Sequence, residues 1–204
     1  TAESVTSAAT SSVANVNDAP SGSVTISGTA VEDGVLTAAN TLTDEDVLGT
    51  ISYSWSNGDT GATTTLGQSD VGNTITVTAS YTDSLNTAES VTSAATSSVA
   101  NVNDAPSGSV TISGTATEDQ TLTAVTGTIV DEDGLGSFSY QWNRAGSAIS
   151  GATSSSYELV QADVGSVLTV TASYTDAQST GESLTSAATS SVANVNDAPS
   201  GSVT

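Results

Sequence analysis

Apolar and polar residues alternate with a period of two through much of the chain, and no stretch places apolar residues at helical spacing. The clearest run is Thr74-Ile75-Thr76-Val77-Thr78-Ala79-Ser80-Tyr81, and residues 167–174 repeat its pattern. A period of two sends successive side chains to opposite faces of a strand, so each run predicts a half-buried β-strand. Short β-branched runs separated by Gly, Asn, Asp and Ser place strands over residues 23–27, 35–39, 51–56, 63–66, 73–82 and 90–102. A further short element is expected between the third and fourth of these. About seven strands per unit, with Trp55 and Trp142 in the middle of a strand, predict an all-β, immunoglobulin-like sandwich with the tryptophans in its core.

The strand pattern occurs twice because the chain is a tandem repeat. Residues 1–30 are identical to residues 87–116, and Asn-Val-Asn-Asp-Ala-Pro recurs at Pro20, Pro106 and Pro199. A period near 90 residues is the size of a small domain rather than of a solenoid coil. Two complete domains are expected end to end, 19–104 and 105–197. Residues 1–18 read as the last strand of a preceding repeat and 198–204 as the first strand of a following one, as in a piece of a longer array.

Composition narrows the chemistry. The net charge is −21, with one cation, Arg144, and 22 acids. Phosphate binding needs Lys and Arg, so nucleic acid is excluded as a partner. No apolar run is long enough to span a bilayer, so direct membrane insertion is not expected. Without Cys or His, thiol chemistry, an imidazole base and soft-metal sites are also excluded. Ser and Thr make up a third of the chain, but no His or Lys is present to activate a hydroxyl, and a non-enzymatic role is expected. Oxygen ligation of a hard cation is what remains.

The positions of the acids sharpen that point. In a sandwich of alternating strands, successive loops fall at opposite ends. Glu32, Asp33 and Asp70 then lie at the exit end of the first domain. Asn101, Asn103 and Asp104 form the linker, and Asp131, Asp133 and Asp176 lie at the entry end of the second domain. Asp18, Asp44, Asp46 and Asp83 face the upstream junction, and Glu118, Asp119, Asp163 and Asp197 the downstream one. With Glu45 and Glu132, seventeen of the 22 acids gather at three junctions. Two like charges ~4 Å apart repel by about 4 kcal/mol at an effective dielectric near 20. Carboxylates with Asn and main-chain carbonyl oxygens are the donor set that calcium takes, so Ca2+ is expected at the junctions.

The linker Asn-Val-Asn-Asp-Ala-Pro resembles the calcium-binding linker of cadherins. Glu32 with Asp33, Asp131 with Asp133, and Asp176 are similar to the acids that flank it in that family, although the acidic motif before the penultimate strand is not matched. The strings Thr-Glu-Asp-Gln-Thr-Leu-Thr, Asp-Glu-Asp-Gly-Leu-Gly-Ser-Phe-Ser-Tyr-Gln-Trp and Gln-Ala-Asp-Val-Gly-Ser-Val-Leu-Thr-Val-Thr-Ala-Ser-Tyr-Thr-Asp look like the tandem Ig-like repeats of giant bacterial surface adhesins of the RTX type. That resemblance covers nearly the whole chain. It implies a calcium-stiffened extender outside the cell, with neighbouring repeats of the same protein as partners. The alternative is a subunit of an extracellular filament or surface layer, joined by strand exchange between chains. A glycan-binding role for Tyr53, Trp55 or Arg144 is a third reading, and the longer segment 143–156 is where a private function of the second repeat would lie.

Overall fold

The computed structural model describes residues 1–198, and the chain divides into two compact units, Thr1–Val102 and Asn103–Thr204. The boundary falls two residues before the expected one, because Asn103 and Asp104 bond to the second unit. The strand expected over 198–204 lies outside the described residues from 199 onward.

Unit 1 contains β1 (Val24–Ser27), β2 (Val35–Asn40), β3 (Ser52–Trp55), β4 (Thr63–Thr65), β5 (Val77–Thr82) and β6 (Ala88–Thr92). They form two antiparallel three-stranded sheets, β1-β2-β4 and β3-β5-β6. Unit 2 contains β7 (Thr111–Ser113), β8 (Thr121–Val125), β9 (Ser139–Arg144), β10 (Ser147–Ala148), β11 (Ser156–Glu158), β12 (Leu168–Thr175) and β13 (Gly181–Thr185). Its sheets are β7-β8-β11 and β10-β9-β12-β13, again antiparallel. The described residues are thus all-β, with six named strands in one unit and seven in the other.

Period-two alternation builds both cores. In β2, Leu36 and Ala38 point inward between exposed neighbours, and in β12 Leu168, Val170, Ala172 and Tyr174 point inward between half-buried Thr169, Thr171 and Ser173. The first core joins Val24, Leu36 and Ala38 of one sheet to Trp55, Val77, Ala79 and Tyr81 of the other. The second joins Val110, Leu122 and Ala124 to Trp142, Leu168, Val170 and Ala172. A core fed from both sheets is what a β-sandwich requires. Each indole N–H is satisfied inside: Trp55 Nε1 donates to Gly61 O at 2.9 Å and Trp142 Nε1 to Ser154 O at 3.0 Å. Both rings are buried, which leaves no indole face free to stack on a sugar.

Three expectations need correction. The strand expected over 73–82 begins only at Val77, and that expected over 90–102 runs from Ala88 and stops at Thr92. β5 begins where its pairing with β3 begins, at Trp55 opposite Val77, and side-chain hydroxyls take over from the main chain where β6 stops. Val77 N donates to Ser93 Oγ at 3.1 Å and Ile75 N to Thr96 Oγ1 at 3.0 Å, and unit 2 repeats both bonds with Ser186 and Thr189. Ser and Thr compete with main-chain acceptors in this way. Beyond them the chain touches down only at single parallel bridges, Val71 to Val99 and Val31 to Ala100.

The longer segment after Trp142 opens with a hairpin. β9 and β10 are joined through Ala145 and Gly146, with φ of 44° and 83°. Two successive positive φ values are the turn that matches the twist of a tight hairpin.

Residues 1–18, expected to be a strand, form none. The identical residues 87–104 include β6, which exists through its pairing with β5. The same sequence is therefore a strand only where an edge receives it, as expected when β-structure is set by neighbours rather than by intrinsic preference. Without an edge, Val5 and Val13 are 99% and 97% exposed.

Candidate metal centre

Each unit gathers four aspartates at the end where its chain enters. In unit 2 these are Asp104, Asp131, Asp133 and Asp176. Asp133 N donates to Asp131 Oδ1 at 2.9 Å, a local turn of the kind Asp side chains favour. Tyr174 Oη, from β12, donates to Asp131 Oδ2. Asp104 N donates to Asp133 Oδ2 at 2.7 Å, which fixes the incoming chain on this loop. Ala177 N donates to Asp133 O at 3.1 Å and so brings the turn after β12 alongside. In that turn Asp176 Oδ1 accepts from Gln178 N at 2.9 Å and Thr180 N at 2.7 Å.

Unit 1 builds the same arrangement from Asp18, Asp44, Asp46 and Asp83. Asp46 N donates to Asp44 Oδ1 at 2.8 Å, Tyr81 Oη to Asp44 Oδ2, and Asp18 N to Asp46 Oδ2 at 2.7 Å. Ser84 N donates to Asp46 O at 3.1 Å, and Asp83 Oδ1 accepts from Leu85 N and Thr87 N, each at 2.8 Å.

The remaining lone pairs show what these ends could hold. Asp133 Oδ1, Asp176 Oδ2 and Asp83 Oδ2 are buried and accept no hydrogen bond among the described residues. Their residues are 2%, 6% and 5% exposed. A buried acceptor without a partner costs about 1–3 kcal/mol, and more when charged. In unit 1 the atom matching Asp133 Oδ1 is Asp46 Oδ1, and there the Asn15 amide donates to it. The position takes a positive pole when one is in reach. Carboxylate oxygens with free lone pairs and no basic side chain fit a hard cation.

The exit ends differ. Glu32 and Glu118 are buried, and each braces the departing chain: Glu32 Oε2 accepts from Val102 N and Glu118 Oε2 from Val195 N, both at 3.1 Å. Asn101 Oδ1 is buried and unpartnered among the described residues. Asp33 and Asp119 are exposed turn residues with φ of 59° and 61°, and Asp197 is exposed too. Asn103 is exposed and donates to Glu182 Oε1 at 2.9 Å, and Asn17 does the same to Glu89.

Asp70 and Asp163, expected in the junction clusters, do other work. Both sit in single turns of 3-10 helix, Gln68–Asp70 and Gln161–Asp163, and accept from the residue that opens the turn: Gly67 N at 3.1 Å and Val160 N at 2.9 Å. Asp163 is fully buried, and Arg144 Nε donates to its Oδ1 at 2.6 Å while Tyr157 Oη donates to Oδ2 at 3.1 Å. The carboxylate lowers the free energy of the protonated guanidinium and phenol, so Arg144 is raised above its ordinary pKa, while burial chiefly raises Tyr157. With both oxygens engaged, Asp163 braces its turn and is not left free for a metal.

The tyrosines of the entry ends were missed by sequence reasoning, although each stands two residues before an aspartate in both repeats. Burial, then the hydrogen bond to Asp44 or Asp131 and the surrounding negative charge, push the Tyr81 and Tyr174 phenols well above their ordinary range. Unfolded tyrosine titrates near ~10. Below that pH both states hold the proton and the contribution to stability is complete. Above it the unfolded chain ionises first, so this contribution is lost as pH rises toward the folded values. Urea midpoints measured from pH 8 to 11 should fall above about pH 10. The fall should be shallower in Tyr81→Phe/Tyr174→Phe.

No family model matches the chain, and no curated protein matches it.

Proposed function

We propose that this chain is a pair of immunoglobulin-like, cadherin-like extender domains from a bacterial cell-surface adhesin, stiffened by calcium at the domain junctions and acting outside the cell without catalysis. The observation that carries the proposal is the pair of four-aspartate entry ends, where Asp133 Oδ1 and Asp176 Oδ2 in unit 2 and Asp83 Oδ2 in unit 1 are buried and accept no hydrogen bond among the described residues. Duplication supports it. An acid cluster that recurs in register with the domain serves something every domain needs, and a joint is what every domain of an array shares. The sheet orders support the immunoglobulin-like reading, since the first, second and fifth strands of unit 2 form one sheet and the others a second. In each entry end, Asp44, Asp46 and Asp83, or Asp131, Asp133 and Asp176, supply carboxylate oxygens, and Asp18 or Asp104 ties the incoming chain to them.

A second reading, assembly into a filament by strand addition, draws on the exposed valines of residues 1–18 and their identity with a segment that does pair. One set of measurements separates the two. Calorimetric titration with calcium should show ions binding to the monomer, and small-angle scattering should show lengthening at constant mass. A chain that binds no calcium, or keeps the same dimensions in calcium and in chelator, overturns the extender reading. Mass growth with chain concentration favours the filament.

A further inference from the structure

One carboxylate in each entry end is held unlike the others. In unit 2, Asp133 and Asp176 each give one oxygen to main-chain donors: Asp133 Oδ2 accepts from Asp104 N, and Asp176 Oδ1 from Gln178 N and Thr180 N. Their other oxygens, Asp133 Oδ1 and Asp176 Oδ2, are buried and unpartnered among the described residues, on side chains 2% and 6% exposed. Asp131 instead has both oxygens engaged. Oδ1 accepts from Asp133 N at 2.9 Å, and Oδ2 from the phenol of Tyr174. Unit 1 repeats the scheme. Asp44 accepts from Asp46 N at 2.8 Å and from Tyr81 Oη, while Asp83 keeps a buried, unpartnered Oδ2.

The phenol differs from the other donors in where it is anchored. Among the described residues, every other hydrogen bond to the carboxylates of Asp131, Asp133 and Asp176 comes from a main-chain N–H of the loops or of the incoming chain. Those donors move when the loops move. Tyr174 belongs to β12 and is 4% exposed, with its ring edge-on to Phe138 at a centroid distance of 5.2 Å. Tyr81 belongs to β5 and is equally buried, although Ile51 stands where unit 2 has Phe138. The residue at that place differs between the units, whereas the hydroxyl and its acceptor do not. A ring that only filled the core would need no hydroxyl, since Phe fills the same space without a buried O–H to satisfy. The bonds run in series from the sheet to the free oxygen. Tyr174 fixes Asp131, Asp131 Oδ1 fixes the main chain of Asp133, and Asp133 carries the unpartnered Oδ1. Without the phenol, Asp131 holds its loop by a single side-chain bond, beside like charges that push it away.

We infer that Tyr81 and Tyr174 position the cation-binding carboxylates of the entry ends, acting through Asp44 and Asp131 rather than as ligands. The inference rests on the reading of these ends as cation sites. Partners that orient a ligating side chain typically change metal affinity by about 10–100-fold when removed.

Calcium titration of the full chain, followed by amide NMR at constant ionic strength, tests this. The two ends report separately, because Val47 and Ser84 of unit 1 are replaced by Gly134 and Ala177 in unit 2. Tyr174→Phe should raise the calcium dissociation constant read from residues 131–134 by about 10–100-fold and leave that of residues 44–47 unchanged. Tyr81→Phe should do the reverse. Tyr157→Phe is the control for stability alone, since it removes a phenol that donates to Asp163 in the same unit and not to the entry end. It should loosen unit 2 and leave its calcium constant where it was. Unchanged constants in both entry-end variants, tighter binding in either, or an equal rise in Tyr157→Phe overturns the inference alone. No saturable shift at either end of the unsubstituted chain overturns the cation reading, and this inference with it.

Discussion

In calcium, Asp133→Asn should lower the stability of unit 2 by about 3 kcal/mol, whereas in chelator it should raise stability by about 1 kcal/mol. The sign change is the diagnostic feature. A ligand bound only by the folded state at 100 times its dissociation constant stabilises by about 2.7 kcal/mol. Asp133 is 2% exposed, its Oδ1 has no partner among the described residues, and Asp131, Asp104 and Asp176 are its neighbours. Without a cation that oxygen is a buried, repelled charge, and an amide there relieves about 1–3 kcal/mol of penalty. With a cation it is a ligand, and an amide coordinates more weakly. A structural aspartate would give a loss in both buffers. Two units can unfold separately, so hydrogen exchange of the β12 amides is the suitable readout. Loss of equal size with and without calcium would argue that the cluster binds nothing.

The strands and cores were legible because alternation is read directly from residue type. Leu36, Ala38, Val77, Ala79, Val170 and both tryptophans lie where a period of two puts them. The entry-end loops were legible too, since successive loops of an alternating sandwich fall at opposite ends, and main-chain bonds tie Asp46 to Asp44 and Ser84, next to Asp83, to Asp46. What failed depended on side-chain geometry or on a partner. Ser93 and Thr96 read as strand residues, but their hydroxyls take the main-chain donors of Val77 and Ile75 and end the ladder. Residues 2–6 carry the sequence of β6 but have no edge to pair with. Asp70 and Asp163 read as junction acids because loop position says nothing of direction, and both carboxylates turn back on their own helical turns.

Trp142→Ala should cost unit 2 about 3–5 kcal/mol, the range for removing a large aromatic from a packed core. The ring is fully buried and stacks on Tyr157 at a centroid distance of 5.9 Å and an interplanar angle of 29°. Its removal leaves Ser154 O without the indole donor and opens a void among residues of both sheets. Against the ~5–15 kcal/mol of a typical domain, this puts unit 2 near its threshold. The effect should extend further along one path. Tyr157 and Arg144 are held beside Asp163 partly by this ring, so the turn Gln161–Asp163 should lose protection from hydrogen exchange together with β12. Unit 1 has its own core and no contribution from Trp142, so β5 amides should exchange at the rate of the parent chain. Trp142→Phe keeps an aromatic face for Tyr157 but drops the bond to Ser154 O, and should cost roughly 1–2 kcal/mol. If Trp142→Ala loosened both units equally, the two cores would not be independent.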